Sequence, residues 1–444
     1  MNKQLLLRDY PQNWEILPLV RFAGSGNTDF VDGPFGSDLK VSDYTKTGVR
    51  VLQLQNLGDG LFINKSKIYT SQKKALMLSR CLTYPGDIII AKMAEPLARA
   101  ALVPAYEDKY LIVADLIKLR IARDIDPYYL LCFINFSDFR KEAERLSTGT
   151  TRTRISLSTL KKISVPKPPI ELQKKLGLIF QTIDRTIAKT EALIEKYQQI
   201  KAGLMHDLFT RGIGADGKLR SPREVAPELY KNSAIGWIPK EWKVGLFGDN
   251  IEVIDPNPSH RYPSEVEDGY PICSTENFEG EDDFNFRKSK FVPETTYQAQ
   301  NNKCRFKPTD VIFARKGKIG LARRYGQDKK VFSHTVVVMK PFSRSVDNNW
   351  LLWLSRSDWL LKGIDATMNT NLGVPTLGVE FIKNIAVPFP KDVEQKTMNK
   401  LLEFASSKVQ SERVKRYKLE KQKSGLMHDL LTGKVSVNVD SDAP

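Results

Sequence analysis

GLMHDLFTRGI, from Gly203 to Ile213, returns near the end of the chain as GLMHDLLTGKV, from Gly425 to Val435. The two stretches lie 222 residues apart, half of the 444-residue length. Upstream they stay in register without a gap: Ile163, Val165, Pro166, Pro168, Gln173 and Lys174 recur as Ile385, Val387, Pro388, Pro390, Gln395 and Lys396. The chain is therefore a tandem duplication. Two copies are too few for a solenoid, which needs three or more stacked units. They suit two similar heads related by internal pseudo-twofold symmetry.

The echo continues into less similar sequence. Asp87, Ile88, Ile89, Ala91 and Lys92 in PGDIIIAK correspond to Asp310, Val311, Ile312, Ala314 and Arg315 in PTDVIFAR, and Lys65-Ser66-Lys67 to Lys288-Ser289-Lys290. A tryptophan precedes a short apolar strand near the start of each half, Trp14 in NWEILPLV and Trp242 in EWKVGLFG. Two segments match closely while two larger blocks keep only a skeleton. That is the pattern of two domains recognising different things from one frame.

Length alone predicts two or more domains. No run of eighteen apolar residues occurs, and MNKQLLLRDYPQNWE is too charged for a signal peptide, so the expected location is the cytoplasm. Cys81, Cys132, Cys273 and Cys304 lack metal-ligand spacing and read as reduced structural thiols. The excess of 68 Lys plus Arg over 52 Asp plus Glu gives a formal charge of +16. Such an excess favours a polyanionic partner. No lipid-anchor or membrane motif accompanies it, and the basic residues cluster with Asn and Gln, the types that read bases.

Each block reads as α+β. VRVLQLQNL and LFINKSKIY alternate as half-buried strands, DIIIAK and LIVADLIKLRI read as buried strands, and Pro127 to Leu146 has helical spacing with proline at its start. The second half repeats this order. VPKPP and VPFPK then act as rigid punctuation. From Ile170, Leu172, Leu176, Ile179, Ile183, Ile187, Leu193, Tyr197, Ile200 and Leu204 recur mostly every three or four residues, close to a coiled-coil seam. The second copy carries Met398, Leu401, Ala405, Val409, Leu419, Leu426 and Leu430, with Lys415 and Arg416 where the first has Leu193 and Ile194. Neither stripe could be buried alone, so the two helices are expected to pair with each other, with a partner protein covering the rest.

These features together resemble the specificity subunit of type I restriction-modification systems. The resemblance covers essentially the whole chain. Its most specific parts are the VP element before the Gln-containing helix start, the seam TIDRTIAKTEALIEKYQQIKAGLM, and the PGDIIIAK type of strand in both blocks. It implies two globular target recognition domains, each reading half of a split DNA sequence, joined by two long helices packed as an antiparallel coiled coil that sets the gap. The expected segments are 1–160 and 213–382 for the recognition domains, 161–212 and 383–434 for the helices, and 435–444 for a tail. The resemblance further implies double-stranded DNA as ligand and docking of two modification (methyltransferase) subunits on the helical region, which we assign to Leu193, Tyr197, Leu204, Leu208, Leu419, Leu426 and Leu430. Restriction (motor-nuclease) subunits would join for cleavage. S-adenosylmethionine, and ATP with Mg, are expected on those partners, and no cofactor on this chain.

The residues agree that the chain lacks chemistry of its own. Gly24-Ser25-Gly26 and Asp255-Pro256-Asn257-Pro258 fall short of methyltransferase motifs, no Walker A sequence occurs, and Glu281-Asp282-Asp283 reads as a solvated acidic turn. His206 and His428, at equivalent helix ends, suit the helix dipole better than a metal. Two rival readings remain: a two-headed coiled-coil adaptor for proteins, and the specificity subunit of a related, non-type-I methylase system.

Base readout favours Arg on guanine and Asn or Gln on adenine. On one strand-like segment of the first block lie Arg50, Gln53, Gln55 and Asn56; Ser274, Glu276 and Asn277 stand at the aligned place. The loops after the two buried strands supply Lys92 and Arg99, and Arg315, Lys316, Lys318, Arg323 and Arg324. A third site in each block is STGTTRTRIS, with Thr151, Arg152 and Arg154, and TMNTNLGVPTL, with Asn369 and Asn371.

Overall fold

The computed structural model describes residues 10–93, 95–149, 153–367 and 376–438. The chain divides into two compact units, Met1–Glu191 with Arg413–Pro444, and Ala192–Glu412. Among the described residues no helix is long and apolar enough to cross a membrane.

At the centre of the first unit is a four-stranded antiparallel sheet in the order Phe30–Asp32, Leu116–Leu119, Ile88–Ala91, Ala100–Leu102. Ile88–Ala91 is buried throughout because both faces are covered, which is why DIIIAK shows no alternation. Ile88 and Ile90 face the core made with the helices Pro127–Ile134 and Ser137–Arg145. Ile89 and Ala91 face a second core shared with a five-stranded sheet, Tyr44–Thr45, Ile68–Thr70, Val49–Leu52, Tyr110–Ile112, Leu82–Thr83. The helix expected from Pro127 to Leu146 is thus two helices. Its break is at Phe136, in extended conformation, beside Asn135, whose side chain hydrogen-bonds both backbone groups of Ala100.

The second unit repeats this topology. Its four-stranded sheet runs Ile251–Ile254, Val336–Pro341, Val311–Ala314, Ala322–Arg324, and helices Asn348–Ser355 and Asp358–Thr367 follow. Its smaller sheet, Phe291–Val292, Tyr270–Cys273, Val331–Phe332, keeps the parallel pair that Val49–Leu52 and Tyr110–Ile112 form in the first unit. The proline-rich punctuation is itself a strand in each unit: Ser164–Lys167 pairs with Glu15–Pro18, and Ala386–Phe389 with Lys243–Leu246. All four cysteines are buried and unbridged.

The long helices are Ile170–Thr210 and Asp392–Leu431. In the first unit Leu176 and Phe180 share a core with Leu430 and Leu431. Lys423 Nζ lies 2.6 Å from Asp184 Oδ1, and Arg416 Nη1 3.9 Å from Glu191 Oε1. In the second unit Leu208 and Phe209 meet Met398 and Leu402, and Lys201 Nζ donates to Ser406 Oγ at 3.3 Å. In each unit rising residue numbers on one helix meet falling numbers on the other. Leu208 and Leu430, assigned to partner docking, are consumed by these internal cores. Leu204, Leu426 and Tyr197 are half-buried, as is Leu419, and Leu193 is exposed. The apolar side chains left facing solvent include Leu178, Ile200, Leu401, Phe404, Val414 and Tyr417.

The acidic turn is not merely solvated. Glu281 pairs with Lys201 and Arg356, and Asp282 with Arg324 and Arg356 at 3.1 and 2.5 Å. Burial alone would raise both carboxyls; the cations outweigh it and hold both below the usual carboxylate range. The lead-in to the second unit is pinned by a buried pair, Arg220 Nη1 to Glu394 Oε1 at 2.6 Å. The same oxygen accepts from Ile213 N–H and Trp242 Nε1.

Candidate nucleic-acid interface

In the first unit four loops gather at one end of the central sheet. The strand Ile88–Ala91 delivers Lys92, whose Nζ lies 3.0 Å from Asp32 Oδ2 at the end of Phe30–Asp32. Lys92 N–H donates to Asp115 O at 2.8 Å, and Lys92 O accepts from Ile155 N–H at 2.9 Å. Arg154 Nη2 stands 3.6 Å from Asp115 Oδ1, and Arg99 Nη2 donates to Leu54 O at 3.0 Å. These bonds tie together Asp32, Leu54, Lys92, Arg99, Asp115, Arg154 and Ile155, and with them the loops that carry these residues.

The second unit repeats the device with altered side chains. Arg315 Nη2 lies 2.5 Å from Asp255 Oδ2, Arg315 N–H donates to Thr335 O, and Leu377 N–H donates to Arg315 O. A buried cation–carboxylate pair therefore staples the loops in both units. Removing one member of such a pair strands a buried charge, so each pair holds its loops firmly in place.

Several residues expected to touch DNA belong to that internal framework. Arg50 is 1% exposed, and its guanidinium donates to Asn64 Oδ1 at 2.7 Å and Ser66 O at 2.9 Å. The strand ends at Leu52, and Gln53 to Asn56 turn back as a single helical turn. Asn56 Oδ1 accepts from Gln53 N–H while its Nδ2 donates to Ile63 O and Ser66 O. Asn277 does the same for Ser274 N–H, Asn285 O and Ser289 Oγ. Lys92 and Arg315 are spent on their carboxylates. Arg323 and Arg324 lie on the strand Ala322–Arg324, not on the loop, and hold the acidic turn through the carbonyls of Gly280 and Glu281 and through Asp282. In all seven, side-chain donors or acceptors are already bonded within the chain, which gives them structural placements in place of the free contacts expected.

Six remain at the surface. Gln55 is exposed, with Nε2 bonded to Gln53 Oε1 at 2.8 Å and Ser66 Oγ at 2.7 Å. Gln53, Arg99 and Lys316 are partly exposed, and Arg154 and Lys318 exposed. Thr151, Arg152, Asn369 and Asn371 lie outside the described residues.

The structure adds residues to this surface. In both Lys-Ser-Lys repeats the serine turns inward, to Gln55, Arg50 and Asn56 or to Asn277, and leaves Lys65 and Lys67, or Lys288 and Lys290, exposed. The repeat itself was the available signal. His260 and His334 stack at 4.0 Å in the second unit. Burial, then the charges of His260, Lys316 and Arg315, hold the His334 imidazole below the usual histidine range. Among the described residues no cluster of His, Cys, Asp or Glu could hold a metal ion.

The sequence model of the family described as Type I restriction modification DNA specificity domain matches residues 44–199 and 239–421. The chain belongs to this family. Two similar relatives come from Methanocaldococcus jannaschii. The type I restriction enzyme MjaVIII specificity subunit is 24% identical over 336 residues, 74% of this chain and 75% of the relative. The putative type I restriction enzyme MjaX specificity subunit is 22% identical over 446 aligned positions, 98% and 96% of the two chains. In fold, the chain is similar to the type I restriction-modification S subunit from M. genitalium, with a TM-score of 0.55 at 15% identity over 97% of this chain and 99% of that one. A chain from a structure on complex assembly and conformational transition of the type I R-M system gives a TM-score of 0.54 at 15% identity, over 96% and 100%. Both family matches are centred on the two units whose topology is repeated here.

Proposed function

We propose that this chain is the sequence-specific DNA-recognition subunit of a type I restriction-modification complex, each unit reading one half of a bipartite target. The observation that carries the reading is the repeated loop cluster. The same buried staple, Asp32–Lys92 and Asp255–Arg315, supports it in both units, while the exposed residues above differ. A common frame with different contact residues is what a split, asymmetric target requires. The exposed lysine pairs suit phosphates, and Gln55 suits a base edge.

The long helices form an antiparallel coiled coil that sets the spacer between half-sites, supported by the opposed numbering of their contacts within each unit. Their exposed apolar residues, among them Phe404 and Tyr417, dock two methyltransferase subunits. Those subunits supply S-adenosylmethionine chemistry at adenine; motor-nuclease subunits supply ATP with Mg. The chain itself contributes recognition and no catalytic step.

The test is methylation mapping by single-molecule sequencing in a methylation-free host carrying the modification subunit, with and without this chain. A split adenine-methylated motif that appears only with the chain is expected. A stable complex of the two proteins with no new motif would overturn the reading in favour of a protein-binding adaptor.

A further inference from the structure

Phe35 is 63% exposed, on a loop that is otherwise firmly held. Gly33 N–H donates to Leu116 O at 2.9 Å, and a Cβ on Gly33 would stand 2.0 Å from Val113 O, so only glycine fits. Gly36 has φ +26°, and Asp38 N–H closes the turn onto Phe35 O at 2.8 Å. Asp32, immediately before the loop, is the carboxylate of the Lys92 staple, and Lys92 Nζ lies 5.9 Å from the centre of the Phe35 ring. A phenylalanine this exposed leaves apolar surface in water that folding would otherwise bury. A rigid mount that presents it beside the loop cluster calls for a ligand with an apolar face.

The second unit shows what such a face is. Its corresponding loop, after Asp255, carries His260 at φ +56°, and that ring lies on His334 at 4.0 Å with 17° between planes. Thr335 and Asp115 play the same role, each giving its carbonyl to the stapling residue, so the position of His334 is held in the first unit by Ala114. Where the second unit closes an aromatic stack on itself, the first offers one ring with no aromatic partner among the described residues.

We infer that Phe35 is a base-stacking residue: its ring packs against a nucleobase of the first unit's half-site, exposed by local unstacking of the duplex. This rests on the DNA-reading function proposed above. Every base has a π-face, so the contact adds affinity at a defined position without reading the base edge.

The test uses the full chain co-expressed with its modification subunit and the target found by methylation mapping. Wild type, Phe35→Ala, Phe35→Leu and Phe35→Trp are compared on the specific duplex, on an unrelated duplex, and on duplexes with a single abasic site scanned through the half-site. Phe35→Ala should bind the specific duplex about 5- to 150-fold more weakly. Phe35→Trp should bind like wild type and Phe35→Leu like Phe35→Ala. One abasic position should weaken wild type but add nothing to Phe35→Ala, the signature of a direct pair. Wild-type affinity in Phe35→Ala or Phe35→Leu overturns the inference, as does the absence of a coupled position. So does a Phe35→Ala protein that loses its modification subunit without DNA, which would make the ring a protein contact. Failure of wild type to prefer the specific duplex would instead remove the function on which the inference rests.

Discussion

Gln173 Oε1 accepts a hydrogen bond from the backbone N–H of Asp126 at 3.0 Å, while its Nε2 donates to Pro168 O at 2.8 Å. Asp126 in turn caps the apolar helix Pro127–Ile134 through Tyr129 N–H. Gln395 repeats every part of this: it accepts from Asp347 N–H, donates to Pro390 O, and Asp347 caps Asn348–Ser355. One buried amide thus fixes the start of each long helix to the cap of the helix that fills its unit's core.

Replacing Gln173 by Leu leaves an N–H and a carbonyl buried without partners, a cost of about 2–5 kcal/mol. The first unit should lose that stability in hydrogen exchange while the second is unchanged, and Gln395→Leu should do the reverse. Equal loss in both units from either variant would refute the independence of the two devices.

Arg220→Ala strands Glu394 among Ile213 and Trp242 and should destabilise the second unit by about 3–5 kcal/mol. Urea unfolding followed by tryptophan fluorescence reads this directly, because five of the six tryptophans lie in that unit. Replacing both Arg220 and Glu394 by apolar residues of similar volume should cost much less than Arg220→Ala alone.

Burial lowers the Lys330 ammonium from 10.5 to about 8. Between those values the unfolded chain keeps a proton that the folded unit has released, so stability rises with pH from about 8. Cys273 and Cys304 act oppositely: burial pushes each thiol from 9.0 up to about 12, so above 9 the unfolded chain loses a proton that the folded one keeps. The stability of the second unit should therefore rise from pH 8 to 9 and then level or fall. Lys330→Met should abolish the rise; a rise that persists would show that Lys330 is not its source.

Lys65→Ala and Lys67→Ala should each weaken DNA binding at any sequence and flatten the log–log salt dependence by about one unit, without changing the methylated motif. Gln55→Ala should instead relax one letter of the motif. An altered motif from the lysine variants would assign them to base readout.

Adding one heptad to each long helix at matched positions, within Leu176 to Leu204 and its partner, lengthens the pair by about 10 Å, or about three base pairs of duplex. Methylation mapping should show a longer spacer between unchanged half-sites. An unchanged spacer would rule out the helices as its measure.

Much of the fold was legible because it is written twice. The repeat of Trp14 and Trp242, of the two VP elements and of DIIIAK and DVIFAR marks the paired strands and the central strand of each unit. The interface was less legible because the residue types that read bases also satisfy buried backbone. Arg50 and Asn56 are chemically ideal for guanine and adenine, yet both point inward to Ser66. Asp32 and Lys92 are sixty residues apart, so nothing local announces that each neutralises the other. Phe35 carries no such signal, because an exposed phenylalanine cannot be told from a core one by sequence.

The division of the chain also sets an order of assembly on the ribosome. The second unit is continuous, Ala192–Glu412, and can close as soon as it has emerged. The first cannot: Leu430 and Leu431 belong to its core, and Gly433 lies against Pro11 and Trp14. At about 5–20 residues per second, some 220 intervening residues keep it open for roughly 10–45 s. The head synthesised first is the head completed last, and until then the part of its apolar interior that Leu430 and Leu431 cover stays open to water.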